Sequence, residues 1–356
     1  MKYYRGESKE YEYSCTPTLF RLPNYITLHS EKELYYSYFQ EIYEISAFKV
    51  LPGDFREKHF YNLRFLIALQ HYGFSTRLLD VTKDKYIALY FASKSHFRDD
   101  GYIYEFDSHS IKEISSANAD SVKRKIECIF NIDNLKGENI TQYFANKGQH
   151  KIQNTTIVDN IIVDYEKVVG KSIELLRYER QCSAMIMFGI ILDDDNRITD
   201  SHHPINPTDS KKIYYKEKMD ILFDLAINNP EHINSVYVYP DSTESLNLIS
   251  KYNSFLTIKE NNADTYKNEF SKYVKEKFSF SSKEITTDRA KLENEVSFNE
   301  LINFMVENRD AIMKHNYNFY FVFHELIDFI EETGNIEKTT KIMEKIVEEN
   351  RNEKKN

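Results

Sequence analysis

Residues 70–92, QHYGFSTRLLDVTKDKYIALYFA, constrain the chain more than any other stretch. The run before them (Phe60, Leu63, Leu66, Ile67, Leu69) has helical spacing, and Gly73 stands where a helix needs a left-handed residue to end. Leu78 and Leu79 open a short apolar strand. Thr82 then occupies a capping position before a helix carrying Ile87, Ala88, Tyr90 and Phe91. A helix, a strand and a second helix must meet at tight corners, with Gln70, His71, Tyr72, Thr76, Arg77, Asp80 and Thr82 crowded into thirteen positions. Such corners are where scaffolds hold ligand-binding groups. The same residues admit a purely structural reading, with Arg77 and Asp80 as an ion pair and His71 as a core histidine.

Glycine is scarce, nine in 356 residues, and that excludes several sites. The chain holds no GxGxxG, GxxxxGK[ST] or GxSxG. A doubly wound dinucleotide fold, a P-loop and a hydrolase nucleophile elbow therefore lack the turns they need. Any nucleotide must be held by side chains. The net charge of −9 argues against a protein-wide nucleic-acid surface, and the run Lys123, Arg124, Lys125 reads as a solvated helix face. Asp193, Asp194 and Asp195 resemble a calcium loop only superficially, because Arg197 takes a ligand position. His202 and His203 are adjacent, and adjacent histidines normally point apart. No metal is expected. Cys15, Cys128 and Cys182 lie far apart with no CxxC, which fits a reduced, cytoplasmic setting. No apolar run approaches a membrane span and the first residues lack an apolar signal core, so no membrane association is expected.

The pattern predicts a mixed α+β domain. Tyr3–Arg5, 102–106 (YIYEF), KIYY, SVYVY and the run SAMIMFGII read as strands, and KEKMDILFDLA as a helix. Ser30 with Glu33 and Ser297 with Glu300 form capping boxes that start helices. After Tyr252 the pattern turns helical. A boundary near residue 253 is expected, with residues 254–356 an all-α extension.

Residues Tyr4-Arg5-Gly6, Pro17–Arg21, the stretch Gln70–Thr82 and Ala88–Ala92 together resemble the FRG domain, a bacterial family named for an N-terminal Phe-Arg-Gly. Tyr4 replaces that phenylalanine, Ser75 stands where the family has proline, and Val81 where it has tryptophan. Arg177 and Gln181 match the family's arginine-to-glutamine spacing, with Ser183 in place of glycine, and Lys218 and Pro240-Asp241 resemble its closing helix and strand. The resemblance covers residues 1–253 in order.

The order of parts is also similar to the ADP-ribosyltransferase fold, a mainly antiparallel split sheet flanked by helices. That likeness implies an NAD-consuming enzyme, transferring ADP-ribose or hydrolysing NAD, of the kind found among toxins and phage-defence effectors. The implied substrate is NAD or a related nucleotide, and the acceptor a protein or a nucleic acid. The implied catalytic residues are His71, Glu179 and Gln181. Arg5, Gly6, Tyr72, Arg77, Asp80, Thr82 and Arg177 are implied to bind substrate. Because an amide is no general base, Glu179 or His71 is expected to supply basicity, and Gln181→Glu to keep or increase NAD cleavage. Two alternatives stay open: a non-catalytic nucleotide-sensing module, and a nucleic-acid-processing enzyme built on His71, Arg77 and Asp80.

Overall fold

The computed structural model describes residues 1–21, 34–35, 38, 66–67, 69–70, 73–107, 111–113, 139–146, 159–164, 176–200, 205–285 and 295–352. The Ser30–Glu33 capping box, the basic run at 123–125, His202 and His203 lie outside these residues, as do the site candidates His71 and Tyr72.

One seven-stranded sheet forms the N-terminal part. Its strands are β1 (Lys2–Glu7), β2 (Leu78–Thr82), β3 (Gly101–Asp107), β4 (Lys112–Glu113), β5 (Ile161–Asp164), β6 (Ser183–Met187) and β9 (Asp209–Ile213), in the order β4-β5-β6-β2-β1-β3-β9. All neighbours are antiparallel except β4 and β5. A separate hairpin joins β7 (Ile191–Leu192) to β8 (Ile198–Asp200), and Asp193–Asp195 form its exposed turn. There the Asp193 carboxylate accepts from the amides of Asp195 and Arg197, a turn-closing role. The expected strand KIYY is shifted, since β9 ends at Ile213 and the exposed Tyr214 begins a turn.

Two apolar layers hold the sheet. On one face Tyr3, Leu79, Val81, Phe106, Ile162, Ile186 and Phe188 make a buried cluster. Arg77, 0% exposed, crosses this layer: its Nη1 donates to the Phe188 carbonyl at 2.9 Å and its guanidinium lies 5.5 Å from the Phe20 ring centre. On the other face lies α2 (Lys85–Ser93). Its N-cap is Asp84, not the expected Thr82: the Asp84 carboxylate accepts from the Tyr86 amide at 2.7 Å, while the Thr82 hydroxyl accepts from Asp84. Gly6 lets β1 lie directly on this helix, because a Cβ there would stand 1.9 Å from the Ala88 carbonyl oxygen and 2.7 Å from the Ala92 nitrogen.

Two short helices, α1 (Thr18–Arg21) and α3 (Ile140–Asn146), lie between strands, and α4 (Leu176–Arg180) precedes β6. Helix α5 (Lys218–Phe223) packs against α2 and continues as a π-helical turn over Asp224–Asn228. Lys218 is buried and donates its ammonium to the carbonyls of Ser8, Ser95 and His96, the latter two at 3.0 and 2.9 Å. It clips the end of β1 to the end of α2. SVYVY, expected as a strand, is instead helix α6 (Ser235–Val238). Asn234 caps it by accepting from the Tyr237 amide at 3.0 Å, and the buried Glu325 carboxylate accepts from the Ser235 amide at 2.6 Å. These two acceptors satisfy the orphan N–H groups of a first helical turn, which outweighs the strand preference of the valines.

Among the described residues, every element after Ser242 is a helix: α7 (Thr243–Asn261), α8 (Ala263–Ile285), α9 (Glu295–Glu307), α10 (Arg309–Ile312), α11 (Asn316–Val322), α12 (Glu325–Thr333) and α13 (Ile336–Asn352). Position 253 falls inside α7, which runs unbroken across it. One apolar core spans both sides, joining Ile87 and Tyr90 of α2 to Phe255, Phe270, Phe319 and Phe329. No described helix is long and apolar enough to cross a membrane.

Gly6→Ala should be strongly destabilising, by about 3 kcal/mol or more, since the new methyl meets helix backbone rather than a yielding side chain. Urea denaturation with unchanged m-value would measure it; a loss under about 1 kcal/mol would show that β1 and α2 can separate without penalty.

Candidate functional site

Strands β1 and β2 are neighbours at the centre of the sheet, yet they pair only at Tyr4 opposite Thr82. By contrast β1 pairs β3 along its whole length, Lys2 to Glu7, and β2 pairs β6 from Leu78 to Thr82. A cleft of about 250 Å³ opens where the ladder stops, lined by Tyr4, Arg5, Gly6, Gln70, Asp80, Val81, Thr82, Phe91, Arg177, Tyr178, Gln181, Ser183 and Tyr239.

Arg5 fills the break. Its Nη1 donates to the Asp80 carbonyl at 2.9 Å, taking the place of a ladder amide, and its Nε donates to the Glu7 carboxylate at 2.8 Å. Glu7 is buried at 3% exposure and also accepts from the Cys15 amide at 3.2 Å, with Arg21 at 3.6 Å. Burial pulls the Arg5 guanidinium's pKa down, and Glu7 and then Asp80 more than restore it, so it stands above its ordinary value. Arg5, implied by the resemblance to bind substrate, thus spends two of its nitrogens on the fold.

Asp80 shows its carboxylate to the cleft. Its Oδ2 accepts from Gln70 Nε2 at 2.6 Å, and Gln70 Oε1 in turn accepts from the Thr76 hydroxyl at 2.6 Å. Water reaches Asp80 through the cleft mouth, yet protein crowds it on all sides. That crowding raises its pKa from the ordinary carboxylate value, against the opposing pull of Arg5, the Gln70 bond and Arg177. Asp80 does not pair with Arg77, which sits in the apolar layer and does not line the cleft. The ion pair expected of Arg77 and Asp80 is not formed, and Arg77 packs as a buried structural residue outside the cleft lining.

The third wall comes from α4 and α6. Arg177 and Arg180 lie 4.5 and 4.7 Å from the ring centres of Tyr239 and Tyr237. Gln181 Nε2 donates to the Val238 carbonyl at 3.0 Å, and the Gln181 carbonyl accepts from the Thr82 hydroxyl at 2.7 Å. The first bond needs a donor, which a carboxylate lacks: a glutamate would set two acceptors against each other, so Gln181→Glu loses a stitch of the wall. Glu179, expected to be catalytic, is exposed on α4 and does not line the cleft. Arg177 has no ion-pair partner among the described residues and is the cation the cleft presents. Tyr239 is held by the Lys94 ammonium, which donates to its hydroxyl at 2.6 Å, and by Phe91 edge-on at 6.1 Å.

The structure therefore gathers Arg5, Gly6, Asp80, Thr82, Arg177 and Gln181 at one cleft and leaves Arg77 and Glu179 outside it. Gln70 and Tyr239 are additions. Gln70 was visible in the crowded 70–82 stretch, whereas nothing local marks Tyr239. No cluster of three or more potential metal ligands occurs among the described residues.

Comparison with known proteins bears on residues 1–101, which match the model of the FRG domain family. Neither a curated protein nor a solved structure matches the chain. The matched part contains β1, β2 and α2 and so the junction itself, but not Arg177, Gln181 or Tyr239.

Arg5→Ala should cost the fold about 3 kcal/mol, because it strands the Glu7 carboxylate and the Asp80 carbonyl together. Arg177→Ala should cost about 1 kcal/mol or less, the worth of an accessible cation–π contact. Melting curves of the two variants side by side check this; equal losses would contradict the division of labour between the arginines.

Proposed function

With an FRG domain as the premise, we propose that this protein consumes NAD, breaking the nicotinamide–ribose bond and passing ADP-ribose to water or to an acceptor. The observation that carries this is the convergence of an uncommitted guanidinium (Arg177), an aromatic wall and a carboxylate (Asp80) in one cleft at the sheet break. A dinucleotide needs these three chemistries: charge for its phosphates, π-faces for its rings, and a negative group near the ribose where positive charge builds. At about 250 Å³ the cleft is below the roughly 300–1,000 Å³ of pockets that enclose whole drug-sized ligands. It suits the nicotinamide riboside end, with the diphosphate at the mouth beside Arg177. An antiparallel sheet that breaks beside an arginine-bearing first strand also supports an ADP-ribosyltransferase-like arrangement. An activity of this kind would act as a toxin or phage-defence effector by draining NAD.

The sensing alternative draws on a different observation. Tyr239 and the Val238 carbonyl belong to a wall anchored by Glu325 of the helical part, so a bound nucleotide would touch a surface shared with those helices. The nucleic-acid-processing alternative loses support, because Arg77 is buried away from the cleft.

Purified protein incubated with NAD should release nicotinamide. Arg177→Ala should weaken NAD binding about tenfold or more, the worth of a hydrogen bond to a charged group, about 1.5–3 kcal/mol. Calorimetric titration and nicotinamide quantification are the measurements. Binding without release, with water or any protein or nucleic-acid acceptor supplied, would sink the enzyme reading in favour of sensing.

A further inference from the structure

We infer that Asp80 is the catalytic carboxylate of the cleft and that Gln70, fixed by Thr76, is its positioning residue. This rests on the NAD-consuming reading above. Among the described residues lining the cleft, Asp80 has the one carboxylate. Glu179 is exposed on α4, and Glu7 is buried under Arg5 and the Cys15 amide. Gln181 is an amide whose NH₂ is engaged by Val238.

The carboxylate is positioned by a hydrogen-bond chain, and the backbone beneath it is held separately. The Leu78 amide donates to the Thr76 hydroxyl at 3.1 Å, which directs the hydroxyl's own proton to Gln70 Oε1 at 2.6 Å. With its oxygen so occupied, Gln70 must turn its NH₂ to Asp80 Oδ2, at 2.6 Å. Arg5 grips the Asp80 carbonyl at 2.9 Å, pinning the backbone beneath. Because Asp80 lines the cleft, its carboxylate stays within reach of substrate. A reacting group locked by neighbours that do no chemistry themselves is what an active site requires. A surface aspartate has no use for such a chain.

The step follows. The ribose C1′–N bond breaks and its electron pair goes to the nicotinamide nitrogen, which becomes neutral. Positive charge appears on the ribose, facing the Asp80 carboxylate. Water attacks C1′, forming the new C–O bond, and gives its proton to Asp80, from which it passes to solvent. The products are nicotinamide, ADP-ribose and one proton. The described charged and titratable groups facing Asp80 are Arg5 from β1, Arg177 from α4, and the tyrosines Tyr4, Tyr178 and Tyr239 that share the cleft. The two arginines and the Gln70 bond favour the ionised carboxylate, and crowding opposes it.

The full-length protein tests this with three forms: wild type, Asp80→Asn and Gln70→Met. Asp80→Asn, nearly isosteric, should lower nicotinamide release by about 100-fold or more, within the usual worth of a general base, while NAD affinity changes less than about threefold. Gln70→Met keeps the bulk and removes the N–H, so the Asp80 pKa should rise. Because the ionised form is active, the acid limb of the rate–pH profile should shift to higher pH in this variant. A merely structural glutamine would lower the rate without moving the limb. Asp80→Asn within threefold of wild type, or an unmoved limb in Gln70→Met, overturns the assignment while leaving NAD consumption standing. Absence of nicotinamide release by wild type strikes the NAD-consuming reading first and this one with it.

Discussion

The interruption between β1 and β2 is the constraint on which the rest depends. Two central strands that pair at one position leave N–H and C=O groups exposed in the middle of a sheet, where each unpaired group is costly. The tripeptide Tyr4-Arg5-Gly6 answers this residue by residue. Tyr4 makes the last pair with Thr82, Arg5 sends its guanidinium across to the Asp80 carbonyl, and Gly6 lets α2 close the sheet from behind. Glu7 completes the device by holding Arg5 in a layer where an unpaired cation would be expensive. The cleft exists because the ladder stops, and the fold survives the stop because of Arg5.

This changes the meaning of an arginine on an opening strand. The resemblance implied a substrate contact for it; its geometry makes it a beam, with two of its nitrogens bonded within the fold, whereas Arg177 is half-buried at the cleft wall. The exchange is physical, not incidental. A guanidinium has five donors in a rigid fork, so it can bridge a carboxylate and a carbonyl together, which a lysine ammonium does less well. Local sequence shows that an arginine is present, not how many of its donors are already spent.

Legibility followed locality. Gly73 takes the left-handed conformation, φ 83°, that ending a helix before the corner requires, and the strands at Leu78–Thr82, Gly101–Asp107 and Ser183–Met187 lie where the apolar runs place them. The same holds for the helix beginning at Lys218. What local sequence does not show depends on partners far away in the chain. The alternation VYVY reads as a strand until Glu325, 90 positions on, accepts from the Ser235 amide. Arg77 looks like a site residue beside Asp80 until the Phe188 carbonyl, 111 positions on, takes it. Gln181 looks like a weakened glutamate until Val238 shows why an amide is needed.

The helical part is more than an appendage to this cleft. Glu325 carries a carboxylate into a fully buried place where burial raises its pKa, and one of its oxygens has no hydrogen-bond partner among the described residues. Its other oxygen serves the Ser235 amide and accepts from the Tyr90 hydroxyl at 3.4 Å, tying α12 at once to α6 and α2. Helix α2 reaches the cleft through Phe91, and Tyr239, which directly follows α6, lines it as well. Helix α12 is therefore joined to the segment that carries the aromatic wall by direct hydrogen bonds. Division of the chain at residue 253 would cut α7 and part Phe255 from the core it shares with α2. Helix α6 belongs to that same core through Val236 and Val238, so the carbonyl that fixes Gln181 sits on a helix whose packing crosses residue 253.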